Sequence, residues 1–216
     1  KVRATGTTDA PAVAWQIDLG GFGVAQTASA GLPALGISAK GDATLQATTV
    51  AAKVSGAGAT LDVTGRVPFS GGDPEIRAQG TVPLNLVALF VDREIDLGGT
   101  ARLDLQVASA TSISGTVGIN DATFIDAATQ FGVRGVGGQI RLKGQTASID
   151  LKGQLAQGGA MTAGGTVEIN PAAGLPANLK VSIKDGRYVD GKMVDATFSA
   201  ALTVTGPVMT TGKVGG

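Results

Sequence analysis

The chain has 216 residues, with 17 Lys and Arg against 17 Asp and Glu, 34 Gly, no His and no Cys. Balanced charge supplies no field that would draw it to nucleic acid or to an anionic membrane surface. The two absences exclude disulfides, the usual zinc sites, Ser-His-Asp and Cys-His nucleophiles and the commonest general base near neutral pH. Glycine at roughly 16%, against about 7% in average proteins and without a collagen period, disfavours long helices and favours frequent reversals. The length suits one large all-β domain or two small ones. No apolar run reaches the roughly 18 residues that cross a bilayer as a helix, and Lys1-Val2-Arg3 is not followed by a signal-peptide core. Both ends fall in mid-pattern, as in a piece cut from a longer protein.

In chain order, residues 1–82 read as strands of weak phase. Val13, Trp15, Ile17 and Leu19 share a face, then Leu35, Ile37 and Ala39, then Ala43, Leu45 and Ala47, then Ala57, Ala59, Leu61 and Val63, and finally Ile76, Ala78, Gly80 and Val82. A strand's side chains alternate between two faces, so each segment has an apolar and a polar side. Gly20 with Gly21, Gly31, Lys40 with Gly41, and Gly71 with Gly72 are expected to turn the chain between these runs. Residues 83–97 break the alternation. Leu84, Val87 and Val91 at helical spacing behind Pro83 predict a short helix over 83–92, too short to span a membrane.

From 98 to 216 the alternation is cleaner. Ala101, Leu103, Leu105 and Val107 alternate with Arg102, Asp104 and Gln106. Further runs are Gly115, Val117 and Ile119; Val136, Gly138, Ile140 and Leu142; Ala147, Ile149 and Leu151; Met161, Ala163, Gly165, Val167 and Ile169; Leu179, Val181 and Ile183. The longest takes in Val194, Ala196, Phe198, Ala200, Leu202 and Val204. Starts recur about every 10 to 15 residues, which fits antiparallel meanders and leaves no room for the crossover helices of a parallel α/β sheet. Gly144, Gly153, Gly158 with Gly159, Asp185 with Gly186, and Asp190 with Gly191 are the expected reversals.

No motif supports catalysis. The stretch from Gly206 to Lys213 has five residues between its glycines where a phosphate loop needs four, and Val214 stands where that loop has Ser or Thr. Gly135, Gly137 and Gly138 open no helix, as a dinucleotide loop would. Asp121 and Asp126, and Asp185, Asp190 and Asp195, fall in turns and on polar faces and read as solvated or capping groups. Lys180, Lys184, Arg187 and Lys192 are interleaved with acids and read as a mixed solvated face. A transmembrane barrel would need aromatic girdles, and one Trp, one Tyr and six Phe cannot supply them.

The second half resembles the TamB family, periplasmic translocation and assembly proteins within the broader AsmA-like bridge proteins. The resemblance is carried by Leu97-Gly-Gly-Thr-Ala-Arg-Leu-Asp-Leu-Gln-Val107, by Ser114-Gly-Thr-Val-Gly-Ile119 leading to Asp121-Ala-Thr-Phe124, and by the run from Val133 to Gly144. Ala147-Ser-Ile-Asp-Leu151, the turn and strand from Gly158 to Ile169, and Ala200-Ala-Leu-Thr-Val-Thr-Gly206 continue it. It covers roughly residues 98–216, while 1–82 shares only the texture.

The resemblance implies a long, antiparallel, open, taco-like sheet with an apolar concave face, in a protein anchored in the inner membrane of a diderm bacterium and crossing the periplasm. It implies a non-enzymatic role without cofactors, carrying phospholipid between the membranes and supporting outer-membrane biogenesis with a barrel partner of the TamA type. The groove would be lined by Leu103, Leu105, Val117, Ile119, Ile140, Leu142, Ile149, Leu151, Met161, Val167, Val181, Ile183, Val194, Phe198, Leu202 and Val204. The alternation by itself fits equally well the core of a closed β-sandwich, since both bury one face. A β-solenoid or adhesin segment, and a groove that chaperones outer-membrane proteins by strand addition, are the remaining readings.

Overall fold

The computed structural model describes residues 1–7, 11–22, 35–88, 95–109, 112–126, 132–189 and 195–216. The strands are β1 (Val2–Gly6), β2 (Pro11–Phe22), β3 (Leu35–Ala43), β4 (Ala47–Gly56), β5 (Ala59–Pro68), β6 (Glu75–Pro83), β7 (Ile95–Ser109) and β8 (Ser112–Asp126). They continue as β9 (Gly132–Gly144), β10 (Thr146–Leu155), β11 (Ala160–Glu168), β12 (Pro176–Val189), β13 (Asp195–Pro207) and β14 (Lys213–Gly215). All belong to one antiparallel sheet, and their order in space is their order in the chain. β6 pairs directly with β7, so the sheet runs unbroken across the 83–97 connection.

No second sheet faces this one among the described residues, which sets aside the closed sandwich. The chain exposes 13331 Å² at a mass of 21.3 kDa, where a compact monomer of that mass would expose about 9,100 Å². Among the described residues no large side chain is fully buried, and the most covered positions are chiefly Ala, with Leu155 at 5%. The sheet is open, and among the described residues nothing roofs its apolar side.

The bend of the sheet is written in its glycines. Gly65, Gly80, Gly115, Gly138 and Gly165 all lie in apolar rows. A Cβ on any of them would be driven into the carbonyl oxygen of Glu75, Thr60, Asp104, Asp150 or Asn178 on the neighbouring strand. Gly36, Gly118, Gly137 and Gly164 lie on the polar side, where an added Cβ would meet nothing closer than 3.5 Å. Glycine kinks curve a sheet, and on this apolar side Ala101, Ala147 and Ala177 are only 7% to 8% exposed though no element among the described residues covers them. The apolar side is therefore the concave one, and the face is a trough.

β7 carries an extra residue between Val107 and Ser109 at one rim, and toward the opposite rim four strands each carry one against a neighbour. These four residues are Gly21 in β2, Asp121 in β8, Gly135 in β9 and Asp185 in β12, with φ between +49° and +72°. Such bulges bend a strand and shift its alternation by one.

The structure corrects several expectations. The predicted helix over 83–92 is a single turn, α1 (Asn85–Ala88), with 89–94 outside the described residues. Leu45 and Ala57 sit in turns rather than strands, and β4 between them fills a stretch for which no strand was expected. Gly20 with Gly21, Lys40 with Gly41, Gly153, and Asp185 with Gly186 lie inside strands, mostly at irregularities of register, because a bulge needs the same positive-φ residues as a turn. Gly31, Asp190 and Gly191 lie outside the described residues. Among the described residues no helix is long and apolar enough to cross a membrane.

Candidate functional site: an open apolar trough

Residues opposite one another in an antiparallel ladder share a face, so register alone lays out the trough. One row runs Leu19, Ile37, Val54, Leu61, Gly80, Leu103, Val117, Ile140, Ile149, Gly165, Leu179, Val204 and Val214, crossing β2 to β14 without a polar residue. The next row begins Ile17, Ala39, Ala52, Val63, Ala78 and Leu105, passes through Gly115, Leu142, Ala147 and Val167, and ends at Ala177 and Gly206. One step along each strand, the opposite face reads Asp18, Ser38, Lys53, Asp62, Gln79, Asp104, Thr116, Arg141, Ser148, Thr166, Asn178, Thr205 and Lys213.

Leu103, Leu105, Val117, Ile119, Ile140, Leu142, Ile149, Leu151, Met161, Val167, Val181, Ile183, Phe198, Leu202 and Val204 all lie on the trough side, where the structure brings them together. All are half-buried except Ile183, which is buried. Val194 falls outside the described residues. Sequence reasoning confined the lining to the second half. The trough also takes in Ile37, Val54, Leu61 and Val63, and Leu97, Phe124, Val133 and Leu155 beyond the bulges.

Searches of protein-family models, curated proteins and solved structures each return no match. The geometry is left to speak for itself.

The two rows hold no charged group and Gly as their only interruption, so the trough offers dispersion and desolvation and nothing directional. A polar handle occurs near β2: Trp15 lies over Gly41 and its indole N–H donates to the Thr48 hydroxyl at 3.1 Å. Charge pairs sit on the outside. Lys53 meets Asp62 at 3.6 Å directly across the strands, Arg77 meets Asp104 at 3.2 Å, and the Arg187 guanidinium forks onto Asp195 with Nε–Oδ1 at 2.9 Å. That fork holds the Asp195 carboxyl below the ordinary carboxylate range and raises Arg187, both chiefly through the hydrogen bond. These exposed pairs are weak stabilisers. Hollows are found on the polar side, including one of about 680 Å³ lined by Asp150, Thr162, Asn178 and Lys180. Nothing there converges on a common point.

Proposed function

We propose that this chain is a non-enzymatic segment of a lipid conduit whose trough carries the acyl chains of phospholipid, with the headgroup left in water at the mouth. The observation that supports this reading best is the unbroken aliphatic row from Leu19 to Val214, open to solvent along its length. Burying a methylene gains about 0.8 kcal/mol, so an acyl chain is held strongly by any such surface. The lining is Val, Ile, Leu, Ala and Gly without a polar anchor in either row. Binding energy is then nearly uniform along the trough, and a bound chain can slide. Fourteen strands at a spacing of about 4.8 Å make a path of roughly 60 Å, much longer than one lipid.

The resemblance of residues 98–216 to TamB supports the wider setting: a protein anchored in the bacterial inner membrane, a periplasmic path to the outer membrane, a barrel partner of the TamA type and a part in outer-membrane biogenesis. A second reading, strand addition to unfolded outer-membrane proteins, draws on the unpaired outer edges of β1 and β14 among the described residues.

The test is mass spectrometry of lipid retained through detergent-free purification, with Ile149→Asp as its partner experiment. The parent is expected to carry phospholipid. The variant is expected to lose it while keeping its β-sheet circular dichroism, because an open trough wets the new carboxylate where a closed core would be unfolded by it. A lipid-free parent that binds extended peptides at its edges would overturn the conduit in favour of strand addition.

A further inference from the structure

The bulges of β8 and β9 lie side by side and crease the sheet. Beyond the crease the strands continue as a lip, in which Leu97, Phe124, Val133 and Leu155 stand opposite one another across β7 to β10. The extra residues decide which way this lip faces. Ile119 points into the trough, and strict alternation from it would turn Asp121, Thr123 and Ile125 inward and Phe124 out to water. With Asp121 absorbed into the bulge at φ +49°, Ala122 and Phe124 point inward instead, opposite Val136 and Val133. A non-glycine residue in the left-handed region is a cost that straight strands avoid. Here its result is that the aromatic side chain of β8 stays on the apolar side.

The packing of the crease does not consume that side chain. Ala122 and Val136 beneath it are 8% and 7% exposed and Leu155 is 5% exposed, yet Phe124, the largest side chain of its strand, remains 38% exposed. We propose that the lip is the retaining side of the lipid site, with Phe124 laid against an acyl chain seated in the trough, so that the chain is covered on two sides there. The occupant follows from continuity: the lip row adjoins the trough rows of the same strands, and an aromatic ring offers a large apolar area at small entropic cost. This inference rests on the conduit reading above.

The experiment replaces Phe124, Ile149 and Thr123, one at a time, by the photo-crosslinker benzoylphenylalanine and irradiates each protein after incubation with vesicles of radiolabelled phosphatidylethanolamine and phosphatidylglycerol. Label is expected at 149 on the trough floor and at 124 on the lip, and not at 123 on the outer face. Label at 149 with 124 no higher than 123 would overturn the lip and leave the conduit standing. No label at 149 would sink the conduit itself, and the lip with it. In parallel, Phe124→Ser is expected to release bound lipid about tenfold faster with unchanged circular dichroism, and an unchanged release rate would also overturn the lip.

Discussion

Ala57 is a poor residue for the place it occupies. With Gly58 it forms the two-residue loop that closes the Gly56–Ala59 pair, at φ +49° and +79°. Both central residues at positive φ is the type I′ arrangement, which favours Asn-Gly because Asn tolerates the left-handed region where Ala is strained. Ala57→Asn is therefore expected to stabilise the sheet by about 1 kcal/mol, read as a higher urea midpoint with the slope unchanged. The same tolerance explains why Asp stands at the bulge positions 121 and 185, while Gly takes 21 and 135. Leu175, at φ +56° after the turn Pro171–Ala173, has no such excuse in its side chain; its amide donates to the Asn170 carbonyl.

At the scale of the strand, the kinks carry the curvature. Gly165 in β11 has φ +140°, and a Cβ there would strike the Asn178 carbonyl of β12, whereas a Cβ on its neighbour Gly164 would find the Ile149 carbonyl at 3.5 Å. Gly165→Ala should cost more than about 1 kcal/mol, and Gly164→Ala should be close to neutral or stabilising, a contrast that thermal melts of the two variants would resolve. Equal effects would mean that the trough is not bent at Gly165. Most of these strands were legible in the sequence, because β7, β8, β10 and β13 alternate large aliphatic with charged or hydroxyl residues. β4 was not, since Ala51 and Ala52 stand on opposite faces and give no contrast between them. Bulges were illegible for a sharper reason: Gly and Asp mark a reversal and a bulge alike, and only the partner strand's register tells them apart. Phe124 and Val133 were missed as lining for the same cause, because they lie beyond the shift in phase, whereas Leu97 and Leu155 keep their strands' phase and fell outside the runs read as lining. What was legible from sequence alone was the shared face of the described lining residues from Leu103 to Val204.

Over the whole molecule, the trough side is the feature that stability alone does not explain. A monomer's largest apolar patch usually covers a few hundred Å², and here one apolar face runs across thirteen of the fourteen strands. Every strand also pairs only with its neighbours in the chain. The contacts that hold any hairpin are local, as in repeat proteins, whose stability is a sum over adjacent units. Pulled from its two ends in an optical trap, the protein should come apart in a staircase of small steps as outer hairpins peel away, and a single rip would show that the sheet is cooperative throughout. The arrangement has a developmental side as well. A chain that pairs only with what has just been made can assemble its sheet in the order of synthesis, each new strand finding its edge already waiting. Its reach can then be lengthened or shortened by whole hairpins with no rewiring of what stands beside them.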